Sequence, residues 1–256
     1  AGVCVGSEDK RLYVINSRSG RLSWTYYTDG PIRSSPRIAE GHIFIGSDDN
    51  HIHAVNAISG RQTWKVDVGS PIRSTPVVIS DSIYFGTEAG ELFCLDLGGK
   101  MKWRFKARRA ITSSPVVLQG VVYFGSLDSV IYALDAKTGW VIWRFRMAKA
   151  TISSPCIVDN YLFTGSADNN IYCIDIRTAK DVWIYQTEHQ VTGSPIVFKD
   201  SLYCGSVDKN LYCLDYRTGR LRWKFHTEGP ITGTPVADND IIYIGSTDHH
   251  IYALAV

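Results

Sequence analysis

Apolar stretches of five to eight residues, each closed by turn-forming polar residues, run through the whole chain. Ile111–Leu118, Val121–Gly125, Val130–Leu134 and Val141–Phe145 show the pattern, rich in β-branched and aromatic residues and separated by Asx, Gly and Lys-Thr-Gly turns. Stretches of this length and composition are strands. Asp159-Asn160, Asp168-Asn169-Asn170 and Asp208-Lys209-Asn210 mark further turns, because Asx side chains bond their own backbone there. No segment sustains ten residues of helical periodicity, so the chain is expected to be all-β.

The strands repeat. Prolines fall at Pro36, Pro76, Pro115, Pro155, Pro195 and Pro235, and tryptophans at Trp24, Trp64, Trp103, Trp143, Trp183 and Trp223, stepping by 40 with one step of 39. The shorter step lies at the Leu97-Gly98-Gly99 turn. Gly followed by Ser or Thr recurs in register at Gly6, Gly46, Gly86, Gly125, Gly165, Gly205 and Gly245. Four antiparallel strands per repeat, here lettered A to D in chain order, describe the blade of a β-propeller, in which sheets bury their faces on one another around an axis. The chain opens at a strand B and stops after a strand C, so the expectation is a seven-bladed propeller whose first and last blades are three-stranded. Residues 1–256 read as one propeller domain, excised from a longer chain.

The segment between strands C and D carries a specific motif. Ala133, Asp135, Thr138, Gly139 and Trp143 stand at the spacing Ala-x-Asp-x-x-Thr-Gly-x-x-x-Trp, and the other copies degrade it mildly, with Ala179 replacing the Gly before Trp183. This resembles the tryptophan-docking pattern of the pyrroloquinoline-quinone-like propeller repeat along the whole chain. The resemblance implies a structural docking role for Trp24, Trp64, Trp103, Trp143, Trp183 and Trp223, with the Asp and Thr holding the turn. A buried Trp also needs a partner for its indole N–H, which a backbone carbonyl can supply.

The family the repeat resembles includes quinone-dependent dehydrogenases and non-catalytic propellers, so fold alone does not decide function. The dehydrogenases are implied to carry adjacent cysteines, long insertions and an oxygen cage for Ca²⁺. This chain has no Cys-Cys pair, only short connections and uniform repeats. No catalytic residue and no cofactor is expected, and the non-enzymatic branch is the reading favoured. A quinone-dependent oxidoreductase, or a propeller lyase or hydrolase, is the alternative. Asp9, Asp49, Asp128, Asp168, Asp208 and Asp248 recur in six of seven repeats, which suits turn capping better than a unique metal or catalytic site. His51, His53, His249 and His250 read as turn residues, and no Cys/His cluster suggests a metal.

Charge changes the picture in one place. With 27 basic and 25 acidic side chains the net charge is +2, which gives no field for nucleic-acid binding, and no apolar run is long enough for membrane insertion. No leader precedes the first strand, so any targeting segment is expected to be absent or removed. Six cysteines without pairing motifs lean weakly toward a reducing, cytoplasmic compartment, with an extracytoplasmic sensor domain as the alternative. Three residues before each Pro, however, stand Arg33, Arg73, Thr112, Ile152, Thr192 and Thr232, followed by Ser or Gly and then Ser or Thr. The hydroxyls can satisfy one another or bridge water. The two arginines, with Arg108, Arg109 and Lys149 in the loops entering strand A, are candidates for a basic mouth that binds a small anionic ligand or a protein partner. Asp29, Glu188 and Glu228 occupy corresponding loops elsewhere.

The expected function is a ligand-sensing or protein-interaction scaffold. Similar repeats look like sensor parts of signalling proteins such as Ser/Thr kinases and like outer-membrane assembly scaffolds. The exposed edges of the two incomplete blades are candidate sites of self-association.

Overall fold

The computed structural model describes residues 2–256, which form seven antiparallel sheets and, among the described residues, no helix. Each sheet is one blade. Blade 2 is representative, with strands A to D at Arg37–Ala39, His42–Gly46, His51–Asn56 and Gln62–Asp67, hydrogen-bonded in that order. Blades 2 to 6 have four strands, whereas blade 1 (Gly2–Gly6, Arg11–Asn16, Leu22–Tyr27) and blade 7 (Val236–Asp238, Ile241–Gly245, Ile251–Ala255) have three. Blade number, strand order and the two short sheets agree with the reading of the repeat.

Strand A differs from its expected length. In blade 4 only Val116–Leu118 pairs as a strand, not the whole of Ile111–Leu118. The reason is Pro115, which has no N–H to give a ladder, and the residues before it find other partners. Ile111 N donates to Thr87 O at 2.9 Å, in the B–C turn of the preceding blade. The serine two places before each Pro turns inward: Ser34 Oγ and Ser74 Oγ donate to the carbonyls of Gly46 and Gly86 at 2.8 and 2.9 Å and accept from their N–H groups. These hydroxyls are therefore satisfied by strand B of their own blade.

That strand-B glycine has a second task. A Cβ on Gly46 would lie 2.3 Å from Ile72 Cγ2, and one on Gly205 would lie 2.2 Å from Ile231 Cγ2. Gly6, Gly86 and Gly165 meet Ile32, Ile111 and Val191 in the same way. Each glycine is a socket that a β-branched side chain from the following D–A loop fills, so the loop is anchored at one residue and its neighbours are held outward.

By contact density the chain divides into two units, residues 1–122 with 134–140 and residues 123–133 with 141–256. In the first, Phe44, Ile72, Ile83, Phe85 and Leu95 form a core between blades 2 and 3. In the second, Phe163, Val191, Leu202 and Leu214 do the same for blades 5 and 6. Strands B and C of the inner blades are buried on both faces, as continuous apolar runs require, while strand D alternates exposed and half-buried residues.

The Trp on strand D joins each blade to the next. Trp64, Trp103, Trp143 and Trp183 donate their indole N–H to Leu97 O, Ala136 O, Ile176 O and Tyr216 O at 2.9 to 3.1 Å. The ring lies over the C–D turn of that next blade, where Gly99, Gly139 and Gly219 have positive φ and, at Gly139 and Gly219, a Cβ would lie 2.6 Å from the ring. Asp135 and Thr138 hold one such turn: Thr138 donates both its N–H and its hydroxyl to the carboxylate, at 2.8 and 2.7 Å.

Candidate binding face

Anchoring of the D–A loop sets the geometry of the surface above it. Ile32 and Ile72 fill their sockets and donate N–H to Ser7 O and Ser47 O at 3.0 and 3.1 Å. The residue next in sequence, Arg33 or Arg73, then projects the other way, with 42% and 43% of its side chain exposed. Asp48 N donates to Pro31 O at 2.8 Å and Glu88 N to Pro71 O at 2.9 Å, so the B–C turn is tied to the same loop. The two ties place acids and arginines alternately along one edge.

Asp48 sits at the centre. Arg33 Nε donates to Asp48 Oδ2 at 3.1 Å, and Arg73 donates through Nε to Oδ1 at 3.1 Å and through Nη2 to Oδ2 at 3.3 Å. Arg33 reaches back to Glu8, while Arg73 reaches forward to Glu88 with Nη1 3.4 Å from Oε1. The result is a five-charge ladder, Glu8–Arg33–Asp48–Arg73–Glu88, over blades 1 to 3. The Asp48 side chain is only 13% exposed, and hydrogen bonding to its carboxylate lifts Arg73 above the ordinary guanidinium value. Isolated surface pairs stabilise by about 0–1 kcal/mol, but a ladder with a nearly buried central acid holds its arginines in one orientation.

The five cations proposed from sequence thus fall into three groups. Arg33 and Arg73 are brought together through Asp48. Arg108 and Arg109 lie exposed in the next D–A loop of the same unit. Lys149 belongs to the second unit, where its side chain is exposed and its carbonyl accepts from Ser166 Oγ at 3.2 Å. Sequence reasoning missed Glu8, Asp48 and Glu88. Their signal was available: the second residue after each strand-B Gly reads Glu8, Asp48 and Glu88 and then Leu127, Ala167, Val207 and Thr247, changing character where the arginines stop.

The recurring aspartates cap the B–C turns of their own blades. Asp168 and Asp208 each accept the hydroxyl of a strand-C tyrosine, Tyr172 and Tyr212, at 2.7 and 2.8 Å, and the N–H of Asn170 and Asn210. Asp208 also accepts Glu188 N at 3.0 Å. Asp9, Asp128 and Asp248 hold Tyr13, Tyr132 and Tyr252 likewise. These carboxylates are spent on turn capping and strand C.

Blade 2 alone replaces the tyrosine with histidine. His53 is 1% exposed, with Nε2 3.1 Å from Asp49 Oδ2 and Nδ1 3.0 Å from the hydroxyl of Tyr26. Burial pushes the Asp49 carboxyl up, but hydrogen bonds from His53 and from the N–H groups of His51 and Asp29 outweigh it and hold the group well below the usual carboxylate range. Both ring nitrogens of His53 are occupied. Among the described residues no three His, Cys, Asp or Glu side chains are grouped to hold a metal ion.

Six cysteines are free thiols, and Cys94, Cys173, Cys204 and Cys213 are buried. Burial pushes the Cys173 thiol up to about 12, which makes it a packing group rather than a nucleophile.

The family profile described as "Beta-alanine-activating enzyme, beta-propeller" matches residues 1–204. No curated protein is significantly similar in sequence. Among solved structures, BamB from Moraxella catarrhalis superposes with a TM-score of 0.86 at 22% identity, over 99% of this chain and 82% of its own. The computationally designed protein Ika8 gives a TM-score of 0.90 at 17% identity, over 100% of this chain and 80% of its own. At these identities the likeness shows the fold, a β-propeller.

Proposed function

The chain belongs to the family of the β-alanine-activating-enzyme β-propeller, and from that premise we propose that it is a non-catalytic interaction module whose recognition surface is the charged edge of blades 1 to 3. The observation that carries this reading is the Glu8–Arg33–Asp48–Arg73–Glu88 ladder. An active site concentrates perturbed, partly exposed acids or bases around a cavity. The ladder instead presents fixed, mutually paired charges on an open edge.

Each guanidinium has five N–H donors and commits only some of them to the ladder, so a carboxylate on a partner's loop can add to the series without displacing it. The expected partner is therefore a protein loop bearing acidic and basic residues, or a small carboxylate or phosphate. Alternating charge on this edge selects by register more than by net charge. A sensor and a scaffold would use the same edge, since both need reversible recognition of a charged group.

The test compares wild type with Arg33→Ala/Arg73→Ala and with Ile152→Ala, a substitution at the same repeat position in the second unit. Partners captured by the immobilised propeller and identified by mass spectrometry should be lost with the double variant and kept with Ile152→Ala. Equal capture by all three proteins would remove the ladder from recognition. Stoichiometric uptake of pyrroloquinoline quinone with Ca²⁺, together with dye reduction, would replace the module by an enzyme.

A further inference from the structure

The seam between blades 3 and 4 lacks a side chain that the other seams between four-stranded blades possess. Directly after the C–D turn aspartate stand Leu97 in blade 3, Ile176 in blade 5 and Tyr216 in blade 6, but Ala136 in blade 4. The carbonyls of all four accept the indole N–H of the preceding blade. The side chains differ in reach. Leu97 packs on the core of blades 2 and 3, and Tyr216 is 4% exposed in the core of blades 5 and 6. Ala136 ends at its Cβ, and a recess of about 560 Å³ opens beside it, a volume within the range of small-molecule sites.

The filled seam shows the chemistry that the open one accepts. The Tyr216 ring meets Phe163 edge-on, 6.2 Å between centroids, and its hydroxyl donates to Asp159 Oδ2 at 2.9 Å on the A–B turn of blade 5. Arg217 covers the same ring, its guanidinium carbon 5.0 Å from the centroid, and donates Nε to the hydroxyl at 2.9 Å. In the open seam Tyr84 stands at the place of Phe163, Ser80 at that of Asp159 and Lys137 at that of Arg217. All three line the recess, so the surroundings of a phenol ring are present without the ring.

The other charged groups of the lining are committed. Lys102 is the extra residue of the β-bulge opposite Cys94 and Leu95; its ammonium donates to Asp81 O and Ser82 Oγ at 3.1 and 2.8 Å and pairs with the Asp81 carboxylate at 2.8 Å. Asp135 accepts the N–H of Lys137 and both the N–H and the hydroxyl of Thr138. Tyr84 donates its hydroxyl to Ala136 O at 3.0 Å, which fixes the wall. The exposed Lys137 ammonium makes no ion pair among the described residues and can fold over an occupant as Arg217 does. Every one of these lining residues belongs to the first unit.

We propose that this recess binds a small, free phenolic compound, whose ring takes the place that Tyr216 fills between blades 5 and 6, with its hydroxyl at Ser80 and Lys137 over its face. A cation over an electron-rich ring selects a phenol over a purely aliphatic ligand of the same size. The A–B and C–D turns that form the recess lie at the opposite ends of the strands from the B–C turns and D–A loops of the charged ladder. Either site can exist without the other.

The probe is p-cresol, the tyrosine side chain as a free molecule. Titration calorimetry on the intact protein should show one saturable site, with toluene, which lacks the hydroxyl, about fivefold weaker. Ala136→Tyr puts back the side chain of the blade 5–6 seam and Ala136→Leu that of the blade 2–3 seam. Both should keep the urea midpoint of the wild type and bind p-cresol at least about tenfold more weakly. Lys137→Ala removes only the covering cation and should weaken binding about threefold. Absence of a saturable site for p-cresol, or binding unchanged by both Ala136 substitutions, would overturn the proposal. So would saturable binding of N-acetyl-tyrosinamide without binding of p-cresol, because the occupant would then be a side chain held by its own backbone.

Discussion

The edge of blades 2 and 3 and the edge of blades 5 and 6 are built on the same frame and carry different chemistry. In both, a β-branched residue fills a glycine socket and the B–C turn is tied to the loop, by Asp48 N to Pro31 O in one case and Val207 N to Gln190 O in the other. On that frame the first edge carries Arg33, Asp48, Arg73 and Glu88, while the second carries Ile152, Ala167, Thr192 and Val207 at the matching positions. Residues that hold the blade are repeated because packing tolerates little change. Residues one position away point to solvent and are free to differ, so recognition is written beside the repeated residues and not in them.

The frame should break equally in both units. Trp103→Ala and Trp183→Ala each remove a ring packed on a turn glycine and a bond to a carbonyl at 3.0 or 3.1 Å. Each should cost about 3 kcal/mol in urea unfolding; a large loss in one unit and none in the other would show that the frames are not equivalent. The charged edge should respond differently. Asp48→Asn leaves two arginines facing a neutral group and should cost about 1 kcal/mol, less in high salt, whereas Ala167→Asn at the matching position should be nearly neutral. Equal effects there would mean that the ladder contributes no electrostatic stability.

Acid should weaken the frame through its turn-capping carboxylates. Hydrogen bonding from Arg222, despite opposing burial, holds the Asp215 carboxyl at about 2; in Asp248, burial acts upward but hydrogen bonds from Tyr252 and His250 N bring it to about 2. A carboxyl lowered in the folded state contributes stability that is present above the unfolded value near 3.8 and is lost as pH falls through the folded value. The urea midpoint should therefore be level from pH 7 to about 5 and fall between about 4 and 2. A midpoint unchanged down to pH 2 would contradict this assignment. The smallest effect is expected at Ala179, which holds φ +54° where other turns have glycine. Ala179→Gly relieves that strain and should raise stability by about 0.5–1 kcal/mol, offset in part by the entropy of glycine in the unfolded chain.

Much of the fold was legible because a repeat multiplies its own signal. Six tryptophans and seven glycines in register imply one blade seven times, and errors in any single copy average out. Strand A was legible only in part, since the apolar run before Pro115 looks like strand although its N–H groups bond to the neighbouring blade's turn and to side chains. The candidate site was half legible. Arg33 and Arg73 stood out as breaks in the repeat, but Glu8, Asp48 and Glu88 lie 25 or 15 residues from the arginines they meet and are paired through a turn contact that no linear pattern displays. His53 was read as a turn residue and is instead buried between Asp49 and Tyr26, in the place five other blades give to tyrosine.

The sequence by itself determined the strand type, the number of blades and the length of the first and last sheets, because alternation, turn chemistry and period are local properties repeated often enough to read. Only the tertiary structure decided that the arginines alternate with acids and that His53 lies buried between Asp49 and Tyr26. Both depend on which side chain of one blade meets which atom of the next, and that distance is set by packing between sheets and not by position along the chain.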